Sequence, residues 1–123
     1  MPFTRIDHIA LEVADLAAST AFYEKHFGFE TYSRQTVRGS LNINYLRLGG
    51  TVLELVGERR EPMQGFHFCL ICDDFDNAVA ALETAGVEYV TRPHPTGARV
   101  PEEAGWRRVV FRGLDGEHIE IRG

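Results

Sequence analysis

The stretch DHIALEVADL, Asp7 to Leu16, decides the reading of this chain, because its rhythm returns as FHFCLICDDF, Phe66 to Phe75. Each copy sets a His in an alternating apolar run and an Asp seven residues later, His8 to Asp15 and His67 to Asp74, a constant separation of 59 positions between copies. Self-similarity at a fixed spacing marks a repeated structural unit. Strict alternation predicts a half-buried strand at the start of each copy. Beyond each Asp the apolar period changes. Ala18, Phe22 and Tyr23 in the first copy, and Phe75, Ala78, Val79 and Leu82 in the second, stand three and four apart on one helical face. Asp15 and Asp74 sit where N-caps belong. Gly28 and Gly86 sit where a left-handed residue ends a helix.

Each helix is followed by an extended piece (Phe29 to Arg34; Val87 to Arg92), a loop and two more strands. The last strands match as well: GGTVLELV, Gly49 to Val56, aligns with LDGEHIEIR, Leu114 to Arg122, around a Gly four residues before a Glu, Gly50 before Glu54 and Gly116 before Glu120. Here the copies are 66 positions apart, so the second has the longer middle loop, assigned to RPHPTGARVPEEAG, residues 92–105. The expectation is an α+β fold in one domain, residues 1–123: two tandem βαβββ modules, about 4–57 and 66–123, joined by a linker at 58–65. Their strands are expected to form a curved mixed sheet around a cup.

Strand side chains alternate between faces. His8, Ala10 and Glu12 therefore oppose Ile9, Leu11 and Val13, and the aliphatic set must pack on the helix. The same parity groups His67, Cys69 and Ile71 against Phe68, Leu70 and Cys72, and groups His118, Glu120 and Arg122 against Ile119 and Ile121. Glu54, between Leu53 and Leu55, also turns away from the helices. Any one of these polar residues is ordinarily a solvated strand position. Jointly, two imidazoles and two carboxylates at corresponding places of two modules suit a divalent ion of the Ni, Zn, Co, Mn or Fe group.

Composition narrows the setting. The chain has 123 residues, 44% hydrophobic and 25% charged, with a formal charge of −5 and no Lys/Arg block, so a phosphate backbone is not its expected partner. No apolar run reaches the roughly 20 residues that span a bilayer, and no secretion signal is read at the start. A cytoplasmic location is expected. Cys69 and Cys72 lack the second pair a zinc ribbon needs, and within a strand they face opposite ways, unlike a redox pair at a helix start. His26, His94, Arg107, Arg108 and Arg112 are read as surface positions, with an Arg at the cup rim able to hold a carboxylate.

With DHIALEVADLAASTAFYEKHFGFE, LRLGGTVLELV, FHFCLICDDFDNAVAALETAGVEY and VVFRGLDGEHIEI, the chain resembles the vicinal oxygen chelate superfamily over nearly its whole length, the group of glyoxalases, bleomycin resistance proteins and extradiol dioxygenases. The resemblance implies paired βαβββ modules around one divalent metal ion, with ligands at His8, Glu54, His67 and Glu120. It also implies a homodimer. A carboxylate at Glu54 matches the glyoxalase I and epimerase branch, whereas extradiol and fosfomycin enzymes use two His and one Glu. Glu12 stands where bacterial glyoxalase I carries an Arg for glutathione, which argues against that thiol. The implied chemistry is a lyase or isomerase reaction on a small oxygenated substrate, passing through a metal-stabilised enediolate, with Glu120 as the base and Glu54 as ligand and second base. Water exclusion from the cup is expected to raise their basicity. Tyr45, Trp106, His118 and Arg122 are the expected substrate contacts. The alternatives are a drug-sequestering protein of the bleomycin-resistance type, without catalysis, and a ferrous extradiol-type dioxygenase.

Overall fold

The structure is a computed structural model that describes residues 2 and 4–123. The chain divides into two compact units, residues 1–61 and 62–123. In the first, β1 (Ile9–Val13), α1 (Leu16–Phe27), β2 (Glu30–Val37), β3 (Leu41–Leu48) and β4 (Thr51–Gly57) follow in order. The second repeats the series as β5 (His67–Ile71), α2 (Phe75–Thr84), β6 (Tyr89–Pro95), β7 (Arg107–Arg112) and β8 (His118–Arg122). Hydrogen bonding sorts the strands into two four-stranded mixed sheets, β1-β4-β3-β2 and β5-β8-β7-β6, one for each of the two βαβββ modules expected from the sequence. In each, the first strand pairs parallel with the last and the other pairs are antiparallel.

The first unit packs one face of its sheet on α1. Leu11 and Val13 of β1, Leu46 of β3 and Leu53 and Leu55 of β4 are buried, together with Phe22, Tyr23 and Phe29. Asp15 caps α1 by accepting from the Ala18 N–H at 2.9 Å, and Gly28 ends it at φ +75°. The buried face of the helix departs from the sequence pattern, since Ala18 is exposed while Ser19 and Thr20 are buried. Thr20 is tolerated there because its hydroxyl donates to the Leu16 carbonyl at 2.6 Å and accepts from Asn44 Nδ2 on β3 at 2.9 Å. Buried polar groups persist when paired in this way. β2 and β3 are joined by a tight turn in which Arg38 and Gly39 both take positive φ, 50° and 78°, the geometry that matches strand twist.

In the second unit, Phe75, Val79 and Leu82 of α2 are buried along with Val109, Phe111, Ile119 and Ile121 of the sheet. Phe111 stacks on Tyr89 at 4.7 Å. The expected extra length appears between β6 and β7, at residues 96–106, and carries a 3-10 turn at Pro101–Glu103. β6 itself runs on to Pro95, which places His94 in a strand and not in a loop. Between β7 and β8, Glu117 is fully buried.

Candidate metal-binding and anion-binding site

The chemistry-bearing face of the first unit begins one residue before β1. His8 Nε2 lies 2.9 Å from Glu54 Oε2. Its other nitrogen, Nδ1, donates to Asp7 Oδ2 at 3.0 Å. That bond raises the His8 pKa, burial lowers it, and the charges of Glu54 and Asp7 raise it further, for a net rise. Metal-bound histidines characteristically give their second N–H to a carboxylate, which fixes the ring and its tautomer. Asp7 therefore belongs to the site, although it was not among the residues picked out by alternation; the adjacent Asp-His pair was the available signal. Tyr45 lies directly across from Glu54 in the β3–β4 register, half-buried on the same face.

The second unit places the matching pair. His67 faces His118 and Cys69 faces Glu120 in the β5–β8 register, and His67, Arg108, Val110, His118 and Glu120 line a cavity of about 110 Å³. Glu120 is not alone there. Arg108 Nε donates to its Oε2 at 3.3 Å, and Arg122 Nη1 lies 3.7 Å from the same oxygen. Burial pushes the Glu120 carboxyl up, but the Arg108 hydrogen bond and the charges of Arg108, Arg122 and His67 outweigh it and hold the group below the ordinary carboxylate value. The expected rise in basicity is thus reversed by two guanidiniums. Opposite Glu120, burial and then the Glu120 charge push the Cys69 thiol up to about 11, which makes it a poor metal ligand as a thiolate.

Arg122 is buried and bound to protein groups: Thr96 Oγ1 at 3.3 Å, the Gly97 carbonyl at 3.1 Å and Glu103 Oε1 at 3.3 Å. It supports Glu120 from within the module instead of reaching out to a substrate, as the sequence had suggested. Glu103 is in turn gripped by the Arg99 backbone N–H and guanidinium. Trp106 is half-buried just before β7, its carbonyl accepting from Thr96 N–H at 3.2 Å. Arg108 and His94, both expected at the surface, meet instead across β6 and β7, with Nη1 and Nε2 3.4 Å apart. Arg107 points the other way, onto Asp76 and over the Phe75 ring.

Each module thus holds, on its own sheet, an imidazole near a carboxylate, donor types that a borderline divalent ion accepts. Within each module the donors come as a pair, and no group of three or more metal donors is gathered among the described residues. The Asp7–His8 bond and the unblocked cavity beside His67 and Glu120 fit a metal ligand role. Asp7 holds the ring that would present Nε2.

The sequence profile of the Glyoxalase/Bleomycin resistance protein/Dioxygenase superfamily matches residues 5–121, and the chain belongs to that superfamily. It is 30% identical over 125 residues to the uncharacterised protein YwbC of Bacillus subtilis (strain 168), covering 95% of each chain. Among solved structures it resembles TnmS3, an antibiotic binding protein from Streptomyces sp. CB03234, with TM-score 0.79 and 22% identity over 98% of this chain and 96% of that one. It also resembles lactoylglutathione lyase from Agrobacterium tumefaciens, with TM-score 0.70 and 24% identity over 99% and 95% of the two chains. The described residues include no helix long and apolar enough to cross a membrane.

Proposed function

We propose that this protein is a divalent-metal-dependent lyase or isomerase of the glyoxalase type, acting on a small oxygenated substrate, with His8, Glu54, His67 and Glu120 as the metal ligands. The observation that carries the reading is the repetition of one imidazole–carboxylate pair at equivalent sheet positions, 2.9 Å apart in the first module and lining one cavity in the second. A divalent ion held there supplies Lewis acidity toward a substrate carbonyl or hydroxyl oxygen. The chain's own groups do the rest. Asp7 fixes the His8 ring. Glu120, kept ionised by Arg108 and Arg122, accepts the proton from the C–H next to that oxygen, and Glu54 serves as ligand and second acceptor. Tyr45 and His118, each beside a carboxylate ligand, and Trp106 ahead of β7 contact the substrate. The free thiols of Cys69 and Cys72 accord with a reducing, cytoplasmic setting, and we propose a homodimer, to be measured by sedimentation equilibrium.

The test is metal analysis of the purified protein followed by solvent-deuterium exchange on hemithioacetals, 2-hydroxyketones and acyl-CoA esters. A stoichiometric divalent ion, lost in His8→Ala, and exchange lost in Glu120→Gln are expected. Protein that carries no metal, gains none on titration and exchanges no substrate proton overturns the reading. Tight binding of a cationic aromatic drug by that same metal-free protein would establish the sequestering alternative.

A further inference from the structure

Glu103 and Glu120 are the two buried carboxylates of the second module's arginine cluster, and they are held very differently. Glu103 is fully engaged by Arg99, whose backbone N–H and guanidinium both reach it, and is joined by Arg122. Glu120 accepts one long hydrogen bond, from Arg108 Nε at 3.3 Å, and has Arg122 Nη1 at ion-pair distance, 3.7 Å, from the same oxygen. Charge-assisted N–H···O bonds ordinarily close to about 2.7–2.9 Å. The second contact of Arg108, to His94 Nε2 at 3.4 Å, is as loose. A planar guanidinium offers five donors suited to bidentate capture of an oxyanion. Arg108 directs one of them to Glu120 and one to His94, while lining a cavity of about 110 Å³. With a water's share of liquid volume near 30 Å³, that is room for a group of roughly three to four heavy atoms.

Charge points the same way. The guanidiniums of Arg99, Arg108 and Arg122 face two carboxylates, Glu103 and Glu120, so the cluster already carries one positive charge in excess. Arg122, with its side chain 10% exposed, leaves its buried Nε–H without an acceptor among the described residues. Arg99 reaches solvent, its side chain 63% exposed, so the unmet demand rests with the buried Arg122 donor and with Arg108, which an oxyanion in the cavity would engage. Of the other walls of the cavity, His67 and His118 offer ring nitrogens, Val110 is apolar, and the Glu120 carboxylate is paired with Arg108.

We propose that Arg108 is the anchor of an oxyanion subsite in this cavity and that the substrate is a small molecule bearing a carboxylate or a phosphate-type group. The anion takes the Arg108 guanidinium bidentately, His118 donates beside it, and Arg122 remains behind Glu120 as the fixed positive wall. This names the substrate class for the reaction proposed above and rests on that reading for the chemistry, but the anion subsite is measurable without it.

The experiment titrates inorganic phosphate, acetate and neutral acetamide into the full chain, with and without added diamagnetic Zn²⁺, following the imidazole NMR signals of His67 and His118 and the heat of binding. Metal content is determined on the same samples. Phosphate or acetate is expected to shift both imidazoles saturably, acetamide to leave them unmoved, and Arg108→Gln to weaken oxyanion binding at least tenfold. Arg108→Lys retains part of the affinity, and Arg107→Gln, on the opposite face of the same strand, retains all of it. Preference for phosphate or for acetate identifies which anionic group the substrate carries. Wild-type protein that binds neither anion, or Arg108→Gln protein that is folded and binds as wild type, overturns the subsite. Metal bound without an oxyanion effect removes this inference and leaves the metal reading standing; an Arg108-dependent oxyanion effect without metal does the reverse.

Discussion

Gly113→Ala offers a sharp test of the packing beneath β8. Gly113 opens the turn between β7 and β8, where its N–H donates to the Glu117 carbonyl at 2.8 Å and its carbonyl accepts from Gly116 N–H at 3.2 Å. A Cβ at this position would fall on the Glu117 carboxylate, inside contact with Cδ and Oε2 and 2.5 Å from Oε1. Favourable separations for such atoms begin near 3.5 Å. Glu117 is fully buried, so its carboxylate is not the loose end of a surface side chain, and its Oε1 accepts from the Asp115 N–H at 2.9 Å. The carboxylate has to retreat by about an ångström, which breaks that bond. Overpacking costs about 1–3 kcal/mol, and a lost hydrogen bond to a charged group about 1.5–3 kcal/mol more. The expected destabilisation is about 2.5–6 kcal/mol, or roughly 10–24 °C in Tm at some 4 °C per kcal/mol for a chain of this size. Urea and thermal unfolding followed by circular dichroism measure it. In a Glu117→Ala background the obstructing atoms are gone, and Gly113→Ala should then cost under about 1 kcal/mol. A Tm within 2 °C of wild type, or an equal loss in both backgrounds, would refute the reasoning.

Three further outcomes follow from the same geometry. Hydrogen bonds from Arg99 hold Glu103 at about 2 against an ordinary 4.5, so its contribution to stability is present above pH 4.5 and drains away as pH falls towards 2; Glu103→Gln should flatten that part of the unfolding midpoint against pH. Asp7→Asn, which removes the carboxylate from the His8 ring, should weaken divalent-metal affinity about 10–100-fold in a chelator competition, on the proposed metal reading. Thr20→Val leaves buried Asn44 Nδ2 without its acceptor and should cost about 1–3 kcal/mol in urea, with Thr20→Ser close to wild type.

The sheet faces were legible from the sequence because a two-residue period leaves no choice: once Leu11 and Val13 go to the core, His8 and Glu12 cannot. The repeat extended that logic to Glu54, His67 and Glu120. What escaped lies where no period operates. Residues 96–106 carry no alternation, so nothing in them announced that Glu103 would return beneath β8 and bind Arg122. Arg108 looked like a solvated strand residue because its partners, Glu120 and His94, lie on neighbouring strands. Glu117 carries no sequence signal of burial, yet it is fully buried with its carboxylate in the space that a side chain at Gly113 would fill. The helix pattern misled at Ala18 for a related reason: the hydroxyl of Thr20 is admitted to the core by Asn44, a residue 24 positions away.

The parallel pairing of first and last strands has a consequence for assembly. In each module the imidazole stands at the opening strand and the carboxylate on the closing one, β1 with β4 and β5 with β8. The β2–β3 and β7–β8 hairpins can form early, from neighbours in sequence, yet neither brings His8 to Glu54 or His67 to Glu120. That encounter waits for the slow, long-range closure that sets the pace of such topologies. A half-made module therefore holds its imidazole and carboxylate apart, and on the proposed metal reading the appearance of ion affinity during refolding would serve as a clock for the final strand docking into place.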